Sequence, residues 1–223
     1  MNQLIDTFFN LAVMRQYLPQ VVQGMGVTVL LALAVVATGT VIGFALAVLR
    51  SLRIKLLNAP IILFADVFRA VPALVILIII YFALPTVGVR FSAFASAWLG
   101  LSLVLAAFAE EIVWAGILSV PRGQWEAARA TGLSVRQCMR LVVLPQALRL
   151  TVAPLTNRAI VITKNTALAS VLAVGEILYQ AQAGYAFSYN PSPLTLGAIA
   201  YLILFIPLVW LGRWVEGRYA WKR

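Results

Sequence analysis

Residues 121–145 read PRGQWEAARATGLSVRQCMRLVVLP, a basic, amphipathic island in a chain that is otherwise close to hydrocarbon. Long apolar runs flank it on both sides, which predicts a loop exposed on one side of a membrane. Pro121 suits the first turn of a helix, where its missing N–H would have been unpaired anyway. Trp125 and Ala128 then share one helix face, with Glu126 and Arg129 elsewhere on the surface. Gly132 ends this helix at little conformational cost. Ser134 with Gln137 three places on is a capping-box pattern that starts a second helix. Two short helices joined by a glycine turn make a knob suited to a groove on a soluble partner.

Working outward, the composition fits that reading. Of 223 residues, 63% are hydrophobic and only 11% charged, with a mean hydropathy of +0.97. Soluble domains average about 25% charged, so a polytopic, all-α membrane protein of one domain is expected. The net charge of +10 does not point to nucleic acid, because the basic residues sit in short loops between apolar runs. The single cysteine, Cys138, has no partner for an internal disulfide. No cleavable signal peptide is expected: a basic n-region is absent and the first long apolar run begins after Leu18. Histidine is absent altogether, which removes the commonest metal ligand and general base.

Residues 1–20 read as a short interfacial helix, with Phe8, Phe9, Leu11 and Val13 against Asp6, Asn10 and Arg15. Five transmembrane helices follow at about 21–49, 61–84, 94–118, 148–173 and 194–211, each near the length a bilayer requires. Together they form a transmembrane domain over 21–215, with a basic tail at 216–223. The Gly39-x-x-x-Gly43 spacing in the first span allows close helix approach, with intra-chain packing its simplest use. Arg50, Arg53 and Lys55, the island, and Arg213, Arg218, Lys222 and Arg223 follow spans 1, 3 and 5. The opposite side carries only Arg15 and Arg90. By the positive-inside rule the island and the C-terminus are cytoplasmic and the N-terminus is outside. Five spans without an internal repeat predict a pathway built by pairing with a second copy or a homologue.

The island also resembles a known loop. Glu126-Ala127-Ala128, Gly132, Val142 and Leu144-Pro145 fall at the spacing of the EAA loop of ABC-importer permeases, which usually have Ile where Val142 stands. Phe68-Arg69-Ala70-Val71-Pro72, Ser119-Val120-Pro121-Arg122-Gly123-Gln124 and Lys164-Asn165-Thr166-Ala167-Leu168-Ala169-Ser170 are similar to motifs of the polar amino-acid uptake branch. The resemblance spans about Gly24 to Glu176. It implies a type I importer permease (MetI-like) with five core helices, two permeases per complex, separate ABC ATPase subunits and an extracytoplasmic amino-acid-binding protein. Trp125, Glu126, Ala127, Ala128 and Gly132 would couple to the ATPase. Glu176 matches a recurrent acidic position, and it and Tyr179 are expected to contact the binding protein. The other reading of Tyr179, Tyr185 and Tyr189 is an interfacial aromatic belt.

Ionisable groups at membrane depth cost about 2.5–3.5 kcal/mol each at a helix centre and face protein or a cavity. Asp66 and Arg69, three apart, share a helix face and either pair structurally or line the pathway. Pro72 breaks the second span beside them. Glu110 is the member of the Glu110–Glu111 pair expected at the pathway or against Arg158. Lys164, Asn165, Thr166 and Ser170 make the fourth span too polar for lipid and are read as lining the pathway; interhelical hydrogen bonding is the alternative. In relatives that carry cationic amino acids the position after the lysine is often Asp. Asn165 supplies no negative charge, so a zwitterionic or acidic amino acid is expected.

A Walker loop is absent, as are a metal-ligand cluster and a nucleophile–base pairing. No cofactor is therefore expected on this chain, with ATP and Mg on the partner ATPase, and the chain is expected to be a non-catalytic transport subunit. The rival readings are an ion-coupled secondary transporter or channel working without an ATPase, and a membrane-embedded enzyme using Asp66 and Glu110.

Overall fold

The computed structural model describes residues 2–52 and 54–219, so the readings placed on Arg53, Lys222 and Arg223 lie outside the described residues. Within them the chain is helical, with no strand. The helices are α1 (Asn2–Phe8), α2 (Leu11–Ser51), α3 (Lys55–Ala70), α4 (Ala73–Ile78), α5 (Ala93–Ser119), α6 (Arg122–Ala130), α7 (Val135–Cys138), α8 (Leu144–Lys164), α9 (Ile177–Ser188) and α10 (Ser192–Tyr219). Among the described residues, four helical runs are long and apolar enough to cross a membrane: Asp6–Ser51, Ala93–Ser119, Val135–Leu172 and Ser192–Tyr219. Lys55–Ala70 with Ala73–Val87 makes a fifth if that broken pair is one span. Val135–Leu172 is the least apolar of them, as Arg158 and Lys164 within it imply.

The N-terminus departs from expectation. α2 starts at Leu11 and runs unbroken through Pro19, leaving only Asn2–Phe8 as a separate short helix. Asn10 begins α2 by accepting the Ala12 and Val13 N–H groups on its side-chain oxygen, at 3.1 and 3.2 Å. Pro19 removes one hydrogen bond, which a helix of 41 residues tolerates.

Two prolines shape the turns before them in the same way. α4 continues as a π turn over Ile79–Ala83 just ahead of Pro85, and α7 continues as a π turn over Met139–Val143 just ahead of Pro145. A proline ring crowds the carbonyl four residues back, and the wider π turn relieves that clash. The N–H groups of Leu84 and Leu144 accordingly reach five residues back, to the Ile79 and Met139 carbonyls.

The chain divides into two units. One comprises Met1–Val36, Pro72–Leu101 and Val161–Trp210. Val21, Ile177 and Ala200 form one apolar cluster in it, with Met25, Leu196, Tyr201 and Leu204 packed on them. Beside them lies a closed polar set. Glu176 is fully buried and caps α9, accepting the Tyr179 N–H at 2.8 Å and the Tyr201 hydroxyl at 2.5 Å. The Tyr201 and Thr28 hydroxyls in turn accept the Leu178 and Ile177 N–H groups. Three otherwise orphaned N–H groups of the first turn are thereby paired.

The other unit comprises Ala37–Val71, Ser102–Ile160 and Leu211–Arg223. Here α2 and α5 touch through glycine. A Cβ on Gly39 would stand 2.7 Å from the Leu105 Cβ, and one on Gly43 would stand 2.6 Å from the Ala109 Cβ. The paired order, 39 with 105 and 43 with 109, makes the two helices parallel. The Gly39-x-x-x-Gly43 motif thus serves packing within the chain. Ala47, Val113, Ile117, Val120, Ala128, Cys138, Val143 and Ala147 continue the core into the island.

Candidate transport and coupling sites

Four ionisable side chains from three helices form one chain of contacts in the second unit. Arg50, at the end of α2, donates from Nη1 to both Glu110 oxygens, at 3.0 and 3.2 Å. The same nitrogen lies 3.4 Å from Oε2 of Glu111, and Arg69 of α3 reaches that oxygen at 3.2 Å. Burial grades along the chain. The Glu110 side chain is 0% exposed and Arg50 13%, whereas Arg69 is 35% and Glu111 39% exposed.

Two sequence expectations are corrected here. Glu110 is sealed against Arg50 and is not directed at Arg158; Glu111 is the accessible member of the pair. Arg69 pairs with Glu111 on α5, not with its own-helix neighbour Asp66, which is exposed. Arg50, Phe108 and Glu111 were not foreseen. The available signal was the need of two adjacent carboxylates at membrane depth for cations.

Phe108 gathers two guanidinium groups. Arg158 of α8 lies 3.1 Å from its ring centroid and Arg69 lies 5.8 Å away. Cation–π contact holds each charge against the ring without neutralising it. The Arg158 Nε is buried without a hydrogen-bond partner among the described residues. Arg50, Arg69 and Arg158 against Glu110 and Glu111 are three positive and two negative groups, leaving one positive charge in excess.

The other sequence-predicted pathway residues belong to the first unit. Pro72 starts α4, and Val71 before it is extended, as a residue preceding proline prefers. Thr166 is buried and donates to the Thr163 carbonyl at 2.7 Å; Ser170 donates to the Ala167 carbonyl at 2.8 Å. Each hydroxyl proton goes to a carbonyl three residues back, that of Ser170 within the 3-10 segment Asn165–Leu172 and that of Thr166 to the end of α8. Lys164 is exposed and Asn165 and Ser170 are half-buried, whereas Thr166 is closed off. Glu176 is also corrected: fully buried, it presents no surface to a receptor, whereas Tyr179 is 37% exposed.

The island forms the knob its residues dictate. Gly132 adopts φ of +87°, and the Ser134–Gln137 capping box is complete, with bonds of 3.3 and 2.8 Å. Ala128 is buried and Trp125 half-buried against the core, and the Cys138 thiol points at the Trp125 carbonyl, 3.9 Å away. Glu126, Ala127 and Arg129 face outward. The knob is therefore fixed at its base by one face of α6 and offers the other.

Residues 39–221 match the family described as the binding-protein-dependent transport system inner membrane component. The chain belongs to this family. The permease is 38% identical over 206 residues, 92% of its own length and 91% of the relative's, to the probable amino-acid ABC transporter permease protein YckA of Bacillus subtilis strain 168. It is 33% identical over 89% of its length, and 92% of the relative's, to the arginine transport system permease protein ArtQ of the same organism. Among solved structures, a chain of an amino acid ABC transporter crystallised with histidines shares its fold at a TM-score of 0.85 and 30% identity, covering 92% of this chain and 96% of that one. The permease is thus an all-α, multi-pass transport component with the fold of an ABC-importer permease.

Proposed function

We propose that this permease is the membrane subunit of an ATP-driven importer that carries a polar amino acid, zwitterionic or acidic, by alternating access. The observation that carries the substrate reading is the charge balance around Phe108. One guanidinium charge is left over beside Arg69 and Arg158, which suits a single carboxylate. Asn165 supplies no anion for a cationic side chain.

The permease makes and breaks no covalent bond itself and holds no cofactor; ATP and Mg belong to the partner ATPase. Two ATPases close on ATP and move the knobs of two paired permeases, identical or homologous, through the outward faces of Glu126 and Ala127. An extracytoplasmic binding protein delivers the amino acid, with Tyr179 among the groups at its contact. The complex lies in the bacterial inner membrane, with this chain's N-terminus outside and its knob and C-terminus in the cytoplasm.

Uptake by the complex reconstituted with its ATPase and receptor tests this reading. Glutamine or glutamate is taken up faster than arginine when ATP is supplied on the knob side. Faster arginine uptake would overturn the substrate class, and uptake independent of ATP would overturn the importer.

A further inference from the structure

We propose that Glu111 is a resident carboxylate that occupies Arg69 in the empty permease, yields it to the carboxylate of the arriving amino acid, and thereby sets the discrimination between neutral and acidic substrates. This deepens the reading of Arg69 as a carboxylate-binding group and rests on it. Three features of the cluster lead there. The Glu111–Arg69 contact joins one nitrogen to one oxygen, Nη1 to Oε2 at 3.2 Å, and is not a two-point fork. Its members are 35% and 39% exposed, so a ligand reaches the pair, whereas the neighbouring Arg50–Glu110 pair is sealed. Finally, the displaced carboxylate has somewhere to go: Arg50 Nη1 already stands 3.4 Å from the same Glu111 oxygen.

The exchange costs little for one carboxylate, because Glu111 keeps Arg50 while the ligand takes the Arg69 nitrogen that Glu111 gives up. A second carboxylate on the ligand meets the negative charge of Glu111 nearby and is disfavoured. Glu111 is thus a specificity residue acting through Arg69.

The test is uptake of labelled glutamine and glutamate by the complete reconstituted complex, comparing wild type with Glu111→Gln and Arg69→Gln. Removing the competitor lowers the half-saturating concentration for glutamine by about threefold, the scale of a partly exposed ion pair. It also raises the glutamate-to-glutamine uptake ratio and leaves the detergent melting temperature near that of wild type. Weaker glutamine uptake, or no change in either quantity, would overturn the inference. Weakened uptake in Arg69→Gln together with an unchanged Glu111→Gln removes only the role of Glu111; uptake unaffected by both variants removes the carboxylate reading itself. Should Glu111→Gln fail to assemble, Glu111→Asp draws the carboxylate back by one methylene. A lower half-saturating concentration then supports the inference, and a higher or unchanged one contradicts it.

Discussion

Arg50 and Glu110, sixty positions apart, form the most buried ion pair among the described residues, with Nη1 held 3.0 and 3.2 Å from the two oxygens of a fully buried carboxylate. The Arg50 guanidinium also lies 4.8 Å from the Trp114 ring, so it is fixed from two directions. Leaving either charge alone in such a site is costly. Glu110→Ala or Arg50→Ala is expected to lower stability by about 3–5 kcal/mol, with the double variant recovering part of the loss. Denaturation of the purified complex, run as a double-mutant cycle, measures this; additive losses would mean that the two groups do not act as a pair.

The glycine contact of α2 with α5 makes a second prediction. Gly43→Ala places a Cβ against the Ala106 carbonyl and Ala109, so the helices must part. A loss of about 1–3 kcal/mol is expected. Gly26→Ala, whose Cβ would meet nothing within 4 Å, serves as the control and is expected to be neutral or slightly stabilising. Equal melting temperatures for the two variants would refute the contact.

In the knob, structure and coupling separate by residue. Glu126→Ala removes an exposed side chain and should leave folding intact while transported amino acid per ATP hydrolysed falls. Gly132→Ala must hold φ of +87° against its own Cβ, at about 1–2 kcal/mol. Gly132→Pro loses the N–H that donates to the Arg129 carbonyl as well. Ser134→Ala opens the capping box for about 1 kcal/mol. Normal coupling in Gly132→Pro would count against the knob as a rigid lever.

Glu176 gives a pH prediction. Burial pushes its carboxyl above the ordinary range, opposed by the Tyr201 hydroxyl and the N–H groups of Leu178 and Tyr179. Because the folded pKa lies above the unfolded one, the native state binds the extra proton between those two values. Stability therefore falls as pH rises through that window and is greatest below it. Glu176→Gln should flatten this part of the stability–pH profile. A wild-type profile that rises across the same window would contradict the assignment.

The local features of this chain were legible in its sequence, and the long-range pairings were not. The Pro121 start, the Gly132 turn and the Ser134–Gln137 box each depend on residues within one turn of each other. The Gly39–Gly43 spacing marked a close approach without naming α5. Asp66 and Arg69 met the rule for a same-helix pair, yet Arg69 leans to Glu111 because a second helix supplies a carboxylate there. Arg50 read as a topology signal, and only the parallel register of α2 on α5 brings it to Glu110. Glu176 read as a surface acid because neither Tyr201 nor Thr28 is near it in sequence. Residues 1–20 read as a separate interfacial segment because the apolar run begins only after Leu18, yet α2 already starts at Leu11 and carries Pro19 inside it.

The proposal that this knob passes motion from a separate ATPase is tested most directly by cross-linking at position 126. Cys138, the single cysteine, is fully buried, so a Glu126→Cys chain carries one accessible thiol. In native membranes that thiol is expected to cross-link to an ATP-hydrolysing subunit and to resist impermeant reagents added outside. Labelling from the outer face, with no such subunit captured, would contradict it.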